Sequence, residues 1–204
     1  MARMAATDRR EALAQAALAV IARDGVHAAT TRAIVAEAGM PLASFHYAVA
    51  SRDELLRDVV ELVVGSQDSA AFSTLELDAR DIRSAIRGVL GSNFDILRAD
   101  PARQQAMFEL THYALRTPTL DDFPVAQYGV YRGLAARLLE AGAARYRVRW
   151  NVPIPDLATL AVALSDGATL AWLATRDDVA AERLLDLAAD AIAAHAIPLI
   201  KENS

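Results

Sequence analysis

The chain has 204 residues, enough to bury a substantial core in one or two domains, and carries 21 basic against 26 acidic groups for a formal net charge of −5. It has no cysteine, which excludes disulfides, thiolate nucleophiles, iron–sulfur clusters and cysteine zinc sites. Apolar residues make up 54% and charged residues 23%, with Ala and Leu prominent, so local propensity favours helix throughout and the expected fold class is all-α.

The charge is unevenly spread. Residues 1–52 hold six Arg against four acidic groups, a balance of +2, leaving −7 for the remainder. A basic head on an acidic body suits contact with nucleic acid. The opening run MARMAATDRREALAQ lacks the apolar core and cleavage site of a signal peptide, and no uninterrupted apolar stretch of membrane-spanning length occurs. A soluble, cytoplasmic protein with no membrane association is therefore expected.

Leu13, Ala17, Val20 and Ile21 recur at helical spacing from Thr7 to about Asp24, and Gly25 follows as a C-terminal cap. Thr30 or Thr31 can N-cap a two-turn helix with Ile34, Val35 and Ala38 inside and Gly39 at its end. Pro41 suits the first turn of a third short helix that points Phe45 inward and ends near Val49. Ser51 N-caps a fourth helix, with Glu54 completing a capping box, and that helix is expected to run from Asp53 to roughly Ala71. Two short helices joined by a glycine-containing turn and packed on a longer one form a helix-turn-helix.

Those residues carry a resemblance. The segment ALAVIARDGVHAATTRAIVAEAGMPLASFHYAVASRDELL resembles the DNA-binding domain of the TetR repressor family over some fifty residues. Gly25, the Thr30–Thr31–Arg32 start, Ala38–Gly39, the aromatic pair in helix three and Ser51–Arg52–Asp53–Glu54–Leu55 fall in the family's order and spacing. One departure is Pro41-Leu42-Ala43-Ser44, where the family commonly has Ser-Lys-Gly-Thr; another is His46 in place of a usual Tyr.

The resemblance implies a DNA-binding domain over 1–52 and a helical ligand-sensing and dimerisation domain over 53–204. In that arrangement the third helix lies in the major groove. Leu42 and Ala43 would touch thymine methyl groups, while Ser44 and His46 would contact base edges and Arg32 would grip a guanine. Thr31, Tyr47 and Arg52 match positions that hold phosphates. His27, in the turn, is read as structural.

Beyond Glu54 the sequence predicts five or six longer helices, with boundaries near 73–76, 100, 117, 147–155 and 176. The alternation at 145–150 is read as an exposed loop rather than a strand. The last two helices, about 156–175 and 178–197, carry wide apolar faces: Leu157, Leu160, Ala161, Leu164 and Ala168, then Leu184, Leu185, Leu187, Ala188, Ala191 and Ile192. The resemblance implies that this pair forms a homodimer and hence reads a pseudo-palindromic operator on double-stranded DNA.

A small-molecule pocket is expected between head and dimer helices. Its apolar walls would be Phe94, Met107, Phe108, Tyr113, Tyr128, Tyr131 and Trp172, with Asn93, Glu109, His112 and Asp166 orienting the ligand. The function read from all this is a repressor released by a small apolar or aromatic effector. A rival reading is a ligand-binding or adaptor protein whose head no longer reads DNA. No phosphate loop, nucleophile elbow or zinc-protease motif is present, and the Glu109/His112 pair has no second copy, so no enzymatic activity, cofactor or metal is expected.

Overall fold

The computed structural model describes residues 5–63 and 79–199. They form two compact units, one made of the described residues 5–63 together with 100–127, the other of 79–99 together with 128–199. Helix dominates both, as the composition leads one to expect.

In the first unit, α1 spans Ala6–Asp24 and buries Leu13, Ala17, Val20 and Ile21, the face read from their spacing. Gly25 ends it at φ +86°, donating its N–H to the Ile21 carbonyl. A 3-10 turn, Val26–Ala28, leads to α2 at Thr31–Glu37, and the Thr30 hydroxyl accepts the Ala33 N–H as its cap. Gly39, at φ +62°, makes the turn into α3 at Leu42–Ala48, whose Phe45 is buried.

Residues 52–63 are helical and form the described part of α4. Ser51 Oγ accepts the Glu54 N–H, and Glu54 reaches back to the Ala50 N–H at 2.7 Å, one residue before the position an ideal capping box would use. The predicted continuation of α4 to Ala71 and the boundary near 73–76 lie outside the described residues. Arg10 on α1 grips Asp58 on α4 with two bonds of 2.7 and 2.8 Å and pairs with Glu54 at 2.8 Å, so α1 and α4 are tied by a charged fork. These carboxylates hold the Arg10 guanidinium well above its ordinary pKa, while its partial burial opposes the shift.

The unit also takes in α6, Pro101–Ala114, which is capped by Asp100, packs on α1 and buries Ala106, Met107, Leu110 and Ala114. A 3-10 turn at Pro118–Leu120 then leads to α7, Phe123–Tyr146. Thr111 and Gln127 are both buried, and the Thr111 hydroxyl donates to Gln127 Oε1 at 2.8 Å.

The second unit consists of α5 (Ile82–Ala99), the rest of α7, β1 (Val148–Trp150), α8 (Ile154–Thr175), α9 (Asp178–Ala193) and β2 (Ala196–Pro198). α5 packs on α9, and α9 on α8. Leu90, Phe94 and Leu97 meet Ala168, Trp172, Leu185 and Ala188 in one core; Leu139, Leu157, Ala158 and Ile192 form a second. Outside the first core, Arg83 bonds Asp190 and Asp186, and Arg87 bonds Asp186 and Glu182.

Two sequence expectations are corrected here. Residues 148–150 are a strand, paired antiparallel with 196–198 in the register Val148↔Pro198, Arg149↔Ile197 and Trp150↔Ala196. Consequently the last helix stops at Ala193 rather than near 197. The ribbon is held by burial of Val148 and by the Trp150 indole N–H, which donates to the Leu139 carbonyl at 3.2 Å. In addition, α8 is long and apolar enough over an 18-residue window to cross a membrane by length and composition, although the helix carries Asp156 and Asp166.

Candidate functional site

α2 and α3 pack on each other and on α1 with their apolar sides inward. Because α3 has only two turns, burying Phe45 and the following Val49 forces the intervening and flanking side chains outward. Leu42 is 43% exposed and Tyr47 81%, with Ala43 and His46 also exposed and Ser44 half-buried. Arg32, one residue into α2, is exposed as well. Thr31 is half-buried, and since Thr30 supplies the cap, its own hydroxyl is not needed for that purpose. The seven residues Thr31, Arg32, Leu42, Ala43, Ser44, His46 and Tyr47 thus sit on α2 and α3, the two helices of the motif.

Arg52 is placed differently from the expectation. Its guanidinium donates to the Ala29 and Val26 carbonyls at 2.6 Å each and to the Tyr113 hydroxyl at 3.1 Å, while lying over the Tyr113 ring at 5.2 Å. It closes the end of the 3-10 turn and fastens it to α6, so its donors are engaged within the unit rather than presented to phosphate. The same junction uses Glu109, whose carboxylate accepts the Val26 N–H at 3.1 Å, and His27, stacked edge-on to Tyr113 at 5.3 Å.

The residues expected to line a pocket are divided between the two units. In the first, Met107 is core, Phe108 is half-buried, His112 is exposed, and Tyr113 and Glu109 serve the junction just described. In the second, Phe94 and Trp172 are core neighbours in an edge-to-face pair at 5.5 Å. The Trp172 indole N–H is satisfied by Asp178 at 2.7 Å and its ring is covered by Arg176 at 4.5 Å. Asn93 is half-buried on α5.

Tyr128, Tyr131 and Asp166 remain as a group. The Tyr128 hydroxyl donates to Asp166 Oδ2 at 2.7 Å, and the two tyrosine rings meet edge-to-face at 5.7 Å. All three residues are half-buried. Burial raises the Asp166 carboxyl above the usual carboxylate range, opposed by the Tyr128 hydrogen bond. Burial likewise raises the Tyr128 phenol, reinforced by its bond to Asp166, so that hydroxyl stays protonated and donating.

A two-helix reading motif seated on a third helix and joined to a larger helical body defines the class of helix-turn-helix DNA-binding regulators. Residues 13–59 match the family described as "Bacterial regulatory proteins, tetR family", and residues 82–196 match "BetI-type transcriptional repressor, C-terminal". The chain belongs to the TetR family of transcriptional regulators, whose members bind DNA operators and small-molecule effectors as dimers.

Among curated proteins it is similar to the HTH-type nicotine-responsive transcriptional repressor HdnoR of Paenarthrobacter nicotinovorans, 28% identical over 189 residues that cover 93% of this chain and 96% of that one. Among solved structures, a TetR-family regulator from a Rhodococcus species superposes with a TM-score of 0.78 at 18% identity, covering 91% of this chain and 98% of that one. One from Mesorhizobium loti gives 0.74 at 15% over 95% and 99%. The multidrug binding protein EbrR, complexed with imidazole, gives 0.62 at 23% over 96% and 98%. These structural likenesses establish the fold.

Proposed function

We propose that this protein is a homodimeric repressor that reads a pseudo-palindromic operator through α2 and α3 and is released by a small effector bound in its helical body. The carrying observation is the sidedness of α3: its apolar anchor is buried while Leu42, Ala43, His46 and Tyr47 face outward together. On this reading residues 1–52 supply DNA recognition and residues 53–204 supply sensing and dimerisation, in the cytoplasm.

Tyr47 and Thr31 would hold phosphates, Arg32 would take a guanine edge, and Leu42, Ala43, Ser44 and His46 would read neighbouring bases. Arg52 is assigned instead to holding the head's 3-10 turn on α6. Since Arg52 stands at the first helical position of α4 and bonds Tyr113 of α6, a shift of either helix would be felt at the base of the reading motif.

Dimerisation through α8 and α9 is supported by what the single chain leaves uncovered. Much of the apolar surface read from sequence, including Leu157, Ala168, Leu185, Ala188 and Ile192, is consumed by the chain's own core. A separate set remains outside: Leu170 at 58%, Val179 at 62% and Leu187 at 65% exposed. Of the most apolar window of α8 only 28% is buried. A second copy packed against this pair would cover it, giving a two-fold axis that matches two half-sites.

Selection from a pool of random duplexes by the purified protein tests the proposal. Recovery of one inverted repeat is expected. Tyr47→Ala should weaken binding to all sequences alike and leave the salt dependence unchanged, because an uncharged hydroxyl displaces no counterion, whereas Arg32→Ala should relax discrimination at one position by roughly 1–3 kcal/mol. Neither should move the thermal midpoint. Sequence-blind binding, or none, would instead indicate a ligand-binding protein with a head that no longer reads DNA.

A further inference from the structure

We propose that α3 reads its operator through the C5-methyl group of a pyrimidine rather than through that base's hydrogen-bonding edge, so that 5-methylcytosine serves in place of thymine. Methylation of cytosine at that position would then strengthen the protein's hold on DNA. This deepens the operator-reading function proposed above and rests on it.

The outward side of α3 is short of the groups that read base edges. Phe45 and Val49 turn inward, while Leu42, Ala43, His46 and Tyr47 are exposed and fall within about 140° of one another around the helix. From Pro41 to Ala50 there is no Arg, Lys, Asn, Gln, Asp or Glu, the side chains whose hydrogen bonds best distinguish one base pair from another. Pro41, Leu42 and Ala43 are consecutive, exposed and apolar. Leu42 is the largest of them, with 43% of its surface left outside the chain's own core. A leucine side chain laid in the major groove meets one apolar feature on the base pairs, the methyl group on C5 of thymine.

Such a contact is blind to the neighbouring C4. Thymine carries an acceptor there, O4, and cytosine a donor, the N4 amino group, so hydrogen bonding is what tells the two edges apart. The side chains of Pro41, Leu42 and Ala43 neither donate nor accept. The Ser44 hydroxyl does both, and an imidazole such as that of His46 has a nitrogen for either role, so these two fit either edge. 5-Methylcytosine places the thymine methyl beside a cytosine edge. A surface that senses the methyl and ignores C4 therefore groups thymine with 5-methylcytosine, and uracil with cytosine. Covering one methyl-sized group is worth about fourfold in affinity, which multiplies to roughly fifteenfold when both half-sites of a repeat carry it.

The test is a factorial set of duplexes built on the inverted repeat recovered from the random pool, bound by the full-length protein. The pool is unmethylated, so a methyl contact is recovered as thymine. Each thymine is exchanged in turn, symmetrically in both half-sites. Uracil keeps the edge and loses the methyl; a 5-methylcytosine·guanine pair keeps the methyl and changes the edge; a cytosine·guanine pair keeps neither. At one position or more, uracil should weaken binding roughly tenfold, 5-methylcytosine should bind within about threefold of thymine, and cytosine should match uracil. Leu42→Ala should bring the thymine-to-uracil ratio there close to one, with the parent's helical signal and thermal midpoint. Uracil tolerated at every position, 5-methylcytosine bound as poorly as cytosine, or a methyl preference undiminished in Leu42→Ala each overturns the proposal. Any of these three leaves a sequence-specific operator, and so the repressor reading, standing. Failure to recover any repeat would remove that reading and methyl recognition together.

Discussion

The guanidinium of Arg52 donates to two carbonyls of the 3-10 turn and its end and to a tyrosine hydroxyl on α6, three acceptors held by one planar fork. Arg52→Ala should therefore lower stability by about 2–3 kcal/mol, measured by urea denaturation, on the scale of hydrogen bonds to a charged group. Arg52→Lys should recover little of it, because an ammonium cannot reproduce the planar fork. Asp166 has the opposite sign. Its carboxyl is raised in the folded chain, so folding takes up proton affinity; the associated stability is fully present below the ordinary aspartate pKa and is lost as pH rises through the raised value. Asp166→Asn should accordingly melt higher than the parent at pH 7, and the gap should close as the pH is lowered below about 4. Thr30, Gly25 and Ser51 were legible in the sequence because a cap needs only its own neighbours. The partners of Arg52 and Glu109 were not, since their acceptors and donors stand on elements far along the chain.

Periodicity and punctuation located the helices well wherever both ends were local events: α1 through α3 follow from Gly25, Thr30, Gly39 and Pro41, and Asp100–Pro101 opens α6. The ribbon of β1 and β2 left no comparable signal. Three residues of alternating pattern resemble a loop until the chain supplies a partner, and the bond between Asn151 and His195 that flanks the ribbon spans 44 positions. The wide apolar face predicted for α8 and α9 also could not be apportioned from sequence between core and outer surface, because α5, which claims part of it, is defined by packing. At the joint between α1 and the 3-10 turn the backbone itself sets the requirement. Gly25 combines φ +86° with a Cβ position only 3.3 Å from Glu109 Oε2. Gly25→Ala should cost about 1–2 kcal/mol from the backbone alone, seen as a lower thermal midpoint, and should loosen the carboxylate's hold on the Val26 N–H.

In the proposed homodimer, recognition of two half-sites would require two heads, and the second copy would cover the exposed Leu170, Val179 and Leu187 of α8 and α9. Leu187→Asp places a charge in that surface without touching the chain's own core, so sedimentation should show a shift toward monomer. Affinity for the inverted repeat should fall with it, while the far-ultraviolet helical signal persists. The short ribbon adds a property of chain connectivity. Because residues 148–150 clasp 196–198, the helical pair between them is fastened at one end by the covalent turn at Arg176–Asp177 and at the other by the strands. The pair is a buckled belt: severing the chain at the exposed, left-handed Arg176 would leave both pieces fastened, whereas removing the second strand would unbuckle it with every helix still intact.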